Sequence, residues 1–281
     1  MTTTMTPTAA AAPAAARHGL RVTQPRVLLS EWTKFRSLRS TVWTLLTAVV
    51  LSVGVGVLFS AVSASQYHTF SPADRASFNP ISTSLNGMMF AQLAIGVLGV
   101  LLISGEYSTG MIRSSLTAVP RRLPVLWAKL GVFAGVVLTL TLVTSFVSFF
   151  LGQALLSSHH LNVAISAPGA LRAVIGAALY ATVAGMIGMA LGGLLRNTAA
   201  GISTFAAVFF VIPLLTNLLP ASWSSHFVQY LPSNAGAVLF GGGGTGGLAH
   251  PLAPWTGFGV LCAYAAVMIG LAAWRLRRAD A

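Results

Sequence analysis

Residues Gly105 to Pro124, GEYSTGMIRSSLTAVPRRLP, form the one polar, charge-bearing stretch of any length between long apolar runs. It holds Glu106, one of four acidic residues in the 281-residue chain, together with Arg113, Arg121 and Arg122. Gly105 and Gly110 punctuate it, Ser108 or Thr109 can cap the free N–H groups of a new helix, and Pro120 and Pro124 close it. The spacing predicts a short helix with Ile112, Leu116 and Val119 on one face and Arg113 and Ser114 turned elsewhere. Such a helix can lie on a membrane surface or in a partner's groove. An ordinary cytoplasmic loop whose arginines only fix orientation fits the same residues.

What surrounds the stretch sets the class. The chain is 55% hydrophobic and 7% charged, with a mean hydropathy of +0.80, more apolar than a soluble core of this size can hide. Six apolar runs, near 41–62, 84–104, 126–151, 171–194, 201–219 and 255–274, each approach the roughly 20 helical residues that cross a bilayer. The fold expected is therefore an all-α membrane protein with six transmembrane helices. Pro213 interrupts the fifth run and requires a kink or a neighbour's help.

Charge then orients the chain. Fourteen of the sixteen lysines and arginines fall in the segments before span 1, between spans 2 and 3, between spans 4 and 5, and after span 6, leaving only Arg75 and Arg172 on the other side. Both termini are thus expected in the cytoplasm. The net charge of +12 does not mark a nucleic-acid binder, because the basic residues flank apolar runs rather than populate a polar domain.

Residues 1–24 read as a disordered cytoplasmic tail, since the Thr/Ala/Pro tract at its start has nothing to bury and lacks the charge order of a signal peptide. A helix is expected from Pro25 to Ser40, with Leu28, Trp32, Phe35 and Leu38 on one stripe against Arg26, Lys34 and Arg36. That pattern suits a helix lying in the membrane interface, and equally a cytoplasmic extension of the first span. The aromatic loop 220–254, with Trp223, Phe227, Tyr230 and Phe240, predicts short helices that dip back toward the bilayer. Ala184, Gly188 and Gly192, and separately Gly131 and Gly135, are candidates for close helix packing or dimerisation.

Few residues offer chemistry. The 241–247 run GGGGTGG lacks the ending of a phosphate-binding loop, and no G-x-S-x-G elbow is present. His159 and His160 are adjacent and make a poor chelate. Lone Cys262, inside the last apolar run, reads as packing. No span carries a carboxylate at its middle, so an ion-coupled carrier is disfavoured and energy is expected from outside the membrane domain.

The six spans, the amphipathic segment before the first, and G-E-Y-x-x-G (Gly105, Glu106, Tyr107, Gly110) followed by Pro120, Arg121, Arg122 and Lys129 resemble the ABC-2 type permeases of bacterial ABC exporters. Ser30 to Trp43, SEWTKFRSLRSTVW, is similar to the connecting-helix entry to their first span. The resemblance covers roughly residues 26–278 and names a family better than a substrate. It implies a coupling helix at Ser108 to Val119 seated on a separate ATPase, with Glu106, Tyr107, Thr109, Gly110, Arg113, Leu116, Pro120 and Arg121 as the coupling set. A frequent family form has Gly-Thr where this chain has Gly110-Met111. The family's ATP and Mg bind the partner ATPase, so no cofactor and no enzymatic activity are expected on this chain. Pairing with itself or with a similar permease, residence in a bacterial plasma membrane, and export of an amphiphilic or drug-like compound complete the expectation. Two other readings stand beside it: a membrane-embedded metal enzyme using His159, His160 or His250, and a non-transporting sensor or immunity partner of an ATPase.

Overall fold

The computed structural model describes residues 24–108, 122–216, 218, 227–242 and 250–278. Among these the chain is helical, with no strand. Helix α1 (Gln24–Ser37) precedes α2 (Arg39–Gln66). Two short helices follow, α3 (Pro72–Ser77) and α4 (Pro80–Leu85). The long helices α5 (Gly87–Ser108), α6 (Arg122–Ser157) and α7 (Ala170–Leu195) come next. Then come α8 (Thr198–Ala206), α9 (Ile212–Thr216), α10 (Pro232–Ala237) and α11 (Pro254–Arg278).

Six helical stretches are long and apolar enough to cross a membrane: Arg39–Thr69, Pro80–Ser108, Leu123–Ser157, Ala170–Leu195, Thr198–Thr216 and Pro254–Arg278. They fit a multi-pass membrane protein. Each contains one of the six apolar runs or most of it, and several extend beyond by a turn or more. The second span starts at Pro80 rather than 84 because Asn79 caps it, its Oδ1 accepting from the N–H groups of Ile81 and Ser82.

The spans are not equivalent. Spans 2 and 4 are 67% and 78% buried over their apolar windows, whereas the other four are 17% to 33% buried. α5 and α7 therefore form the interior pair, and spans 1, 3, 5 and 6 turn most of their surface outward. What brings the pair together is the absence of side chains: a Cβ at Gly188 would strike the backbone carbonyl of Gly96, and one at Gly192 that of Val100. Ala184, Gly188 and Gly192 are thus spent on packing inside this chain, and no surface is left there for a second copy. Gly131 and Gly135 differ, since a Cβ at Gly135 would meet nothing within 4 Å.

Span 5 absorbs Pro213 by widening one turn. Residues Ala207–Val211 form a π-turn in which the Ile212 N–H donates to the Ala207 carbonyl five residues back. Pro213 has no N–H to donate, and its ring crowds the carbonyl four residues earlier, so a wider turn just ahead of it removes the conflict. Between spans 4 and 5 the reversal takes two residues: Arg196 adopts φ +52 and Asn197 caps α8.

The aromatic loop folds inward in its described part. Val228–Tyr230 form a 3-10 turn, and α10 and the turn after it are buried against α7 and α11, with Phe240 and Tyr180 rings 5.3 Å apart. At the same end Gln153 ties three elements: its Nε2 donates to the Pro80 carbonyl and to Ser84 Oγ, and its Oε1 accepts from the Val163 N–H.

The glycine contacts separate two substitutions. Gly188→Leu is expected to lower stability in detergent by more than the about 1–3 kcal/mol of ordinary overpacking, because a rigid carbonyl stands in the way. Gly135→Leu is expected to stay within about 0.5 kcal/mol of the wild type, as surface substitutions do. Thermal unfolding of the two variants side by side checks both.

Candidate functional site: a buried ion-pair network at the basic end

By topology the ends of α1, α5, α7 and α11 and the starts of α2, α6 and α8 share one end of the bundle. Lys34, Arg36, Arg39, Lys129, Arg196, Arg275, Arg277 and Arg278 belong to it, while Arg75 and Arg172 belong to the far end. The sequence placed Leu28, Trp32, Phe35 and Leu38 on the apolar stripe of the first helix. Of that stripe Leu28, Trp32 and Leu38 are exposed and Phe35 is buried, and Val27 and Glu31 join Phe35 at i, i+4 and i+8 on the face turned to the protein. Val27 packs with Val125 and Ala128 of α6 and seats the helix there. The face turned to the protein thus carries a carboxylate, and the tryptophan lies outward.

That carboxylate is answered by Lys129, in the second turn of α6. Lys129 Nζ donates to Glu31 Oε2 at 2.6 Å and to Glu106 Oε1 at 2.9 Å. Lys34 Nζ donates to Glu31 Oε1 at 2.8 Å and, more weakly, to Glu106 Oε1 at 3.4 Å. Glu31, Lys34, Glu106 and Lys129 thus make a network of zero net charge. The side chains of Glu31, Lys129 and Glu106 are 4%, 10% and 11% exposed, and Lys34 is 31% exposed. Glu106 Oε2 is buried with no hydrogen-bond partner among the described residues.

Two ionisations follow the geometry. Burial works against the charge of Glu31, but Lys129 and Lys34 outweigh it and hold the carboxyl below its usual range. Burial likewise works against the Lys34 ammonium, and the Glu31 and Glu106 carboxylates outweigh it, so Lys34 titrates above its usual range.

Further contacts close the same end. The Arg196 guanidinium lies over the Tyr107 ring, 4.8 Å from its centroid. Ser104 and Thr198 hydroxyls bond at 2.9 Å, and Arg275 donates to the Leu194 carbonyl. The last turn of α5 is therefore tied to α1, α6 and the span 4–5 reversal together.

Of the coupling set, Glu106 and Tyr107 are placed, both in these contacts. Thr109, Gly110, Arg113, Leu116, Pro120 and Arg121, with the short helix expected around them, lie outside the described residues. Sequence reasoning missed Glu31 and treated Lys129 as an orienting charge. The signal was available: Val27, Glu31 and Phe35 repeat at helical spacing, so a carboxylate on that face needs a cation. Of the histidines, His159 meets His68 edge-on at 5.8 Å, and among the described residues no three metal-ligating side chains gather. No protein-family model and no curated protein matches this chain.

Lys129→Met is expected to destabilise the protein by about 3 kcal/mol, because it removes the buried cation between two carboxylates and leaves only the more exposed Lys34 to pair with them. Neutralising all three together, with Glu31→Gln, Lys129→Met and Glu106→Gln, is expected to cost clearly less. Unfolding by denaturant in micelles compares them. On the pH axis, Glu31 stabilises the fold above the carboxyl's ordinary 4.5, and this is lost as pH falls through the lowered folded value. Lys34 stabilises below its ordinary 10.5, and this is lost as pH rises through the raised one. A melting-temperature profile is expected to be flat between those limits and to fall on both sides, with the acid arm reduced in Glu31→Gln.

Proposed function

We propose that this chain is the permease subunit of an ABC exporter of the ABC-2 type, working with a separate ATPase. One observation carries the reading most. The buried network joins α1 to both flanks of the 109–121 segment, through Glu106 on one side and Lys129 on the other. A segment that receives force from an ATPase needs rigid attachment at both ends, and ion pairs shielded from water resist a pull far better than exposed ones.

In this reading the termini and the 109–121 segment face the cytoplasm of a bacterial cell, and two permeases and two ATPases assemble. ATP and Mg sit on the ATPases. Their closure moves the 109–121 segments, and the network passes that movement to α1, α5 and α6 as alternating access. The spans offer apolar surfaces and few charges, which suits an amphiphilic cargo. The basic bias of one end favours the cytoplasmic placement.

The experiment is co-purification. An ATP-binding subunit is expected to come through mild detergent with the tagged wild type and to be lost with Leu116→Asp, while the variant's amount in the membrane is unchanged. No ATPase with either protein overturns the proposal. If the ATPase stays with Leu116→Asp but substrate movement stops, the docking face lies elsewhere on the segment and the transporter reading stands.

A further inference from the structure

Helix α11 buries one face and leaves the other bare. Leu261, Ala265, Ile269 and Ala272 are buried in the bundle, whereas Val267, Gly270, Leu271, Trp274 and Arg278 recur at i, i+3, i+4, i+7 and i+11 on the outward side, all exposed. A Cβ at Gly270 would meet nothing within 4 Å, so a hollow lies between Val267, Leu271 and Trp274. The Arg278 guanidinium sits over the Trp274 ring, 4.7 Å from its centroid, and Arg277 is exposed beside it. Arg275 is engaged elsewhere, donating to the Leu194 carbonyl at the end of α7. No carboxylate pairs with Arg277 or Arg278 among the described residues, and the sequence after them holds one acid, Asp280.

From this geometry we infer that the outward face of α11 holds one anionic glycerophospholipid at the basic end, its phosphate on Arg277 and Arg278 and an acyl chain in the hollow at Gly270. Depth selects a lipid. Exposed Trp255 and Trp274 stand about 28 Å apart along the helix axis, close to the roughly 30 Å of a hydrocarbon core. Trp274 therefore marks the interface and the two arginines reach phosphate depth. Charge selects the head. Two guanidiniums outweigh the roughly half negative charge of the helix C-terminus, and each offers a planar fork that matches phosphate. A zwitterionic head would bring its own cation against them. A second copy docked by this face at the same depth would set like arginines against each other. An acidic protein surface in water could not reach Gly270 and Val267, one and two turns deeper than Trp274. The site stands whether or not an ATPase docks.

The test offers the purified protein equal amounts of phosphatidylglycerol and phosphatidylcholine with identical chains in mixed micelles at low salt. After detergent washing, retained lipids are counted by native mass spectrometry. The wild type is expected to hold phosphatidylglycerol over phosphatidylcholine by about thirtyfold, about fivefold for each arginine. Arg277→Gln with Arg278→Gln is expected to cut that ratio by about tenfold or more. Arg36→Gln with Arg39→Gln, exposed at the junction of α1 and α2, is expected to leave it unchanged. Gly270→Phe fills the hollow where no atom opposes it, so it keeps the melting temperature, and is expected to cut retained phosphatidylglycerol by about tenfold. A wild-type ratio within about threefold of one, an equal loss from Arg36→Gln with Arg39→Gln, or retention unchanged in Gly270→Phe overturns the inference.

Discussion

Lys129 held between two carboxylates is the constraint on which the basic end of this protein depends. A lysine eight residues into the third long helix would be expelled from a dry position unless an anion met it, and one anion would leave it short of acceptors. Two meet it, one from α1 and one from the last turn of α5. Because α1 makes little contact with α2 beyond the junction at Leu38, this pairing and the Val27 seat on α6 fix where α1 lies. Removing the lysine therefore does more than delete one bond, since it leaves two buried carboxylates to share the more exposed Lys34.

The network also explains why α1 is amphipathic in an unusual way. Its exposed face carries Leu28, Leu29 and Trp32, while its buried face carries Glu31. A helix in water would reverse that order. An apolar outer face is compatible with a helix against lipid, and a buried acid is compatible with a helix anchored to charged partners. Both conditions hold at the end of a transmembrane bundle, where tails, headgroups and protein meet.

How much of this was legible depended on the length scale of the signal. Six apolar runs announce themselves because a bilayer imposes a length that few other structures need. That the loop after span 5 holds a short helix was legible too, since Phe240 gains by burial, but its described part packs on α7 and α11 and leaves Phe227 and Tyr230 exposed. The buried carboxylate of α1 was not, because Lys129, the cation that lets Glu31 turn toward the protein, lies 98 residues away in the chain. Nor could the sequence say that Gly188 meets Gly96 within one chain, since a small-residue repeat carries no label for its partner. Pro213 gave the position of a defect but not its form, which the backbone resolved as a π-turn.

The placement of Glu106 matters for what the bundle can transmit. It stands at the end of α5, and α5 is locked to α7 along a face where backbone meets backbone at Gly96 and Val100. Such a contact has no side chain to rearrange, so the pair responds to force as one body. The polar side chains inside it, Gln92 and Tyr180, are fully buried and lie against each other rather than against the glycine contacts. Shape holds α5 to α7, and charge holds α5 to α1 and α6. On the coupling reading, a displacement of the 109–121 segment enters through the charged joint and moves the two interior spans together, while the outward-turned spans 1, 5 and 6 keep their contact with lipid.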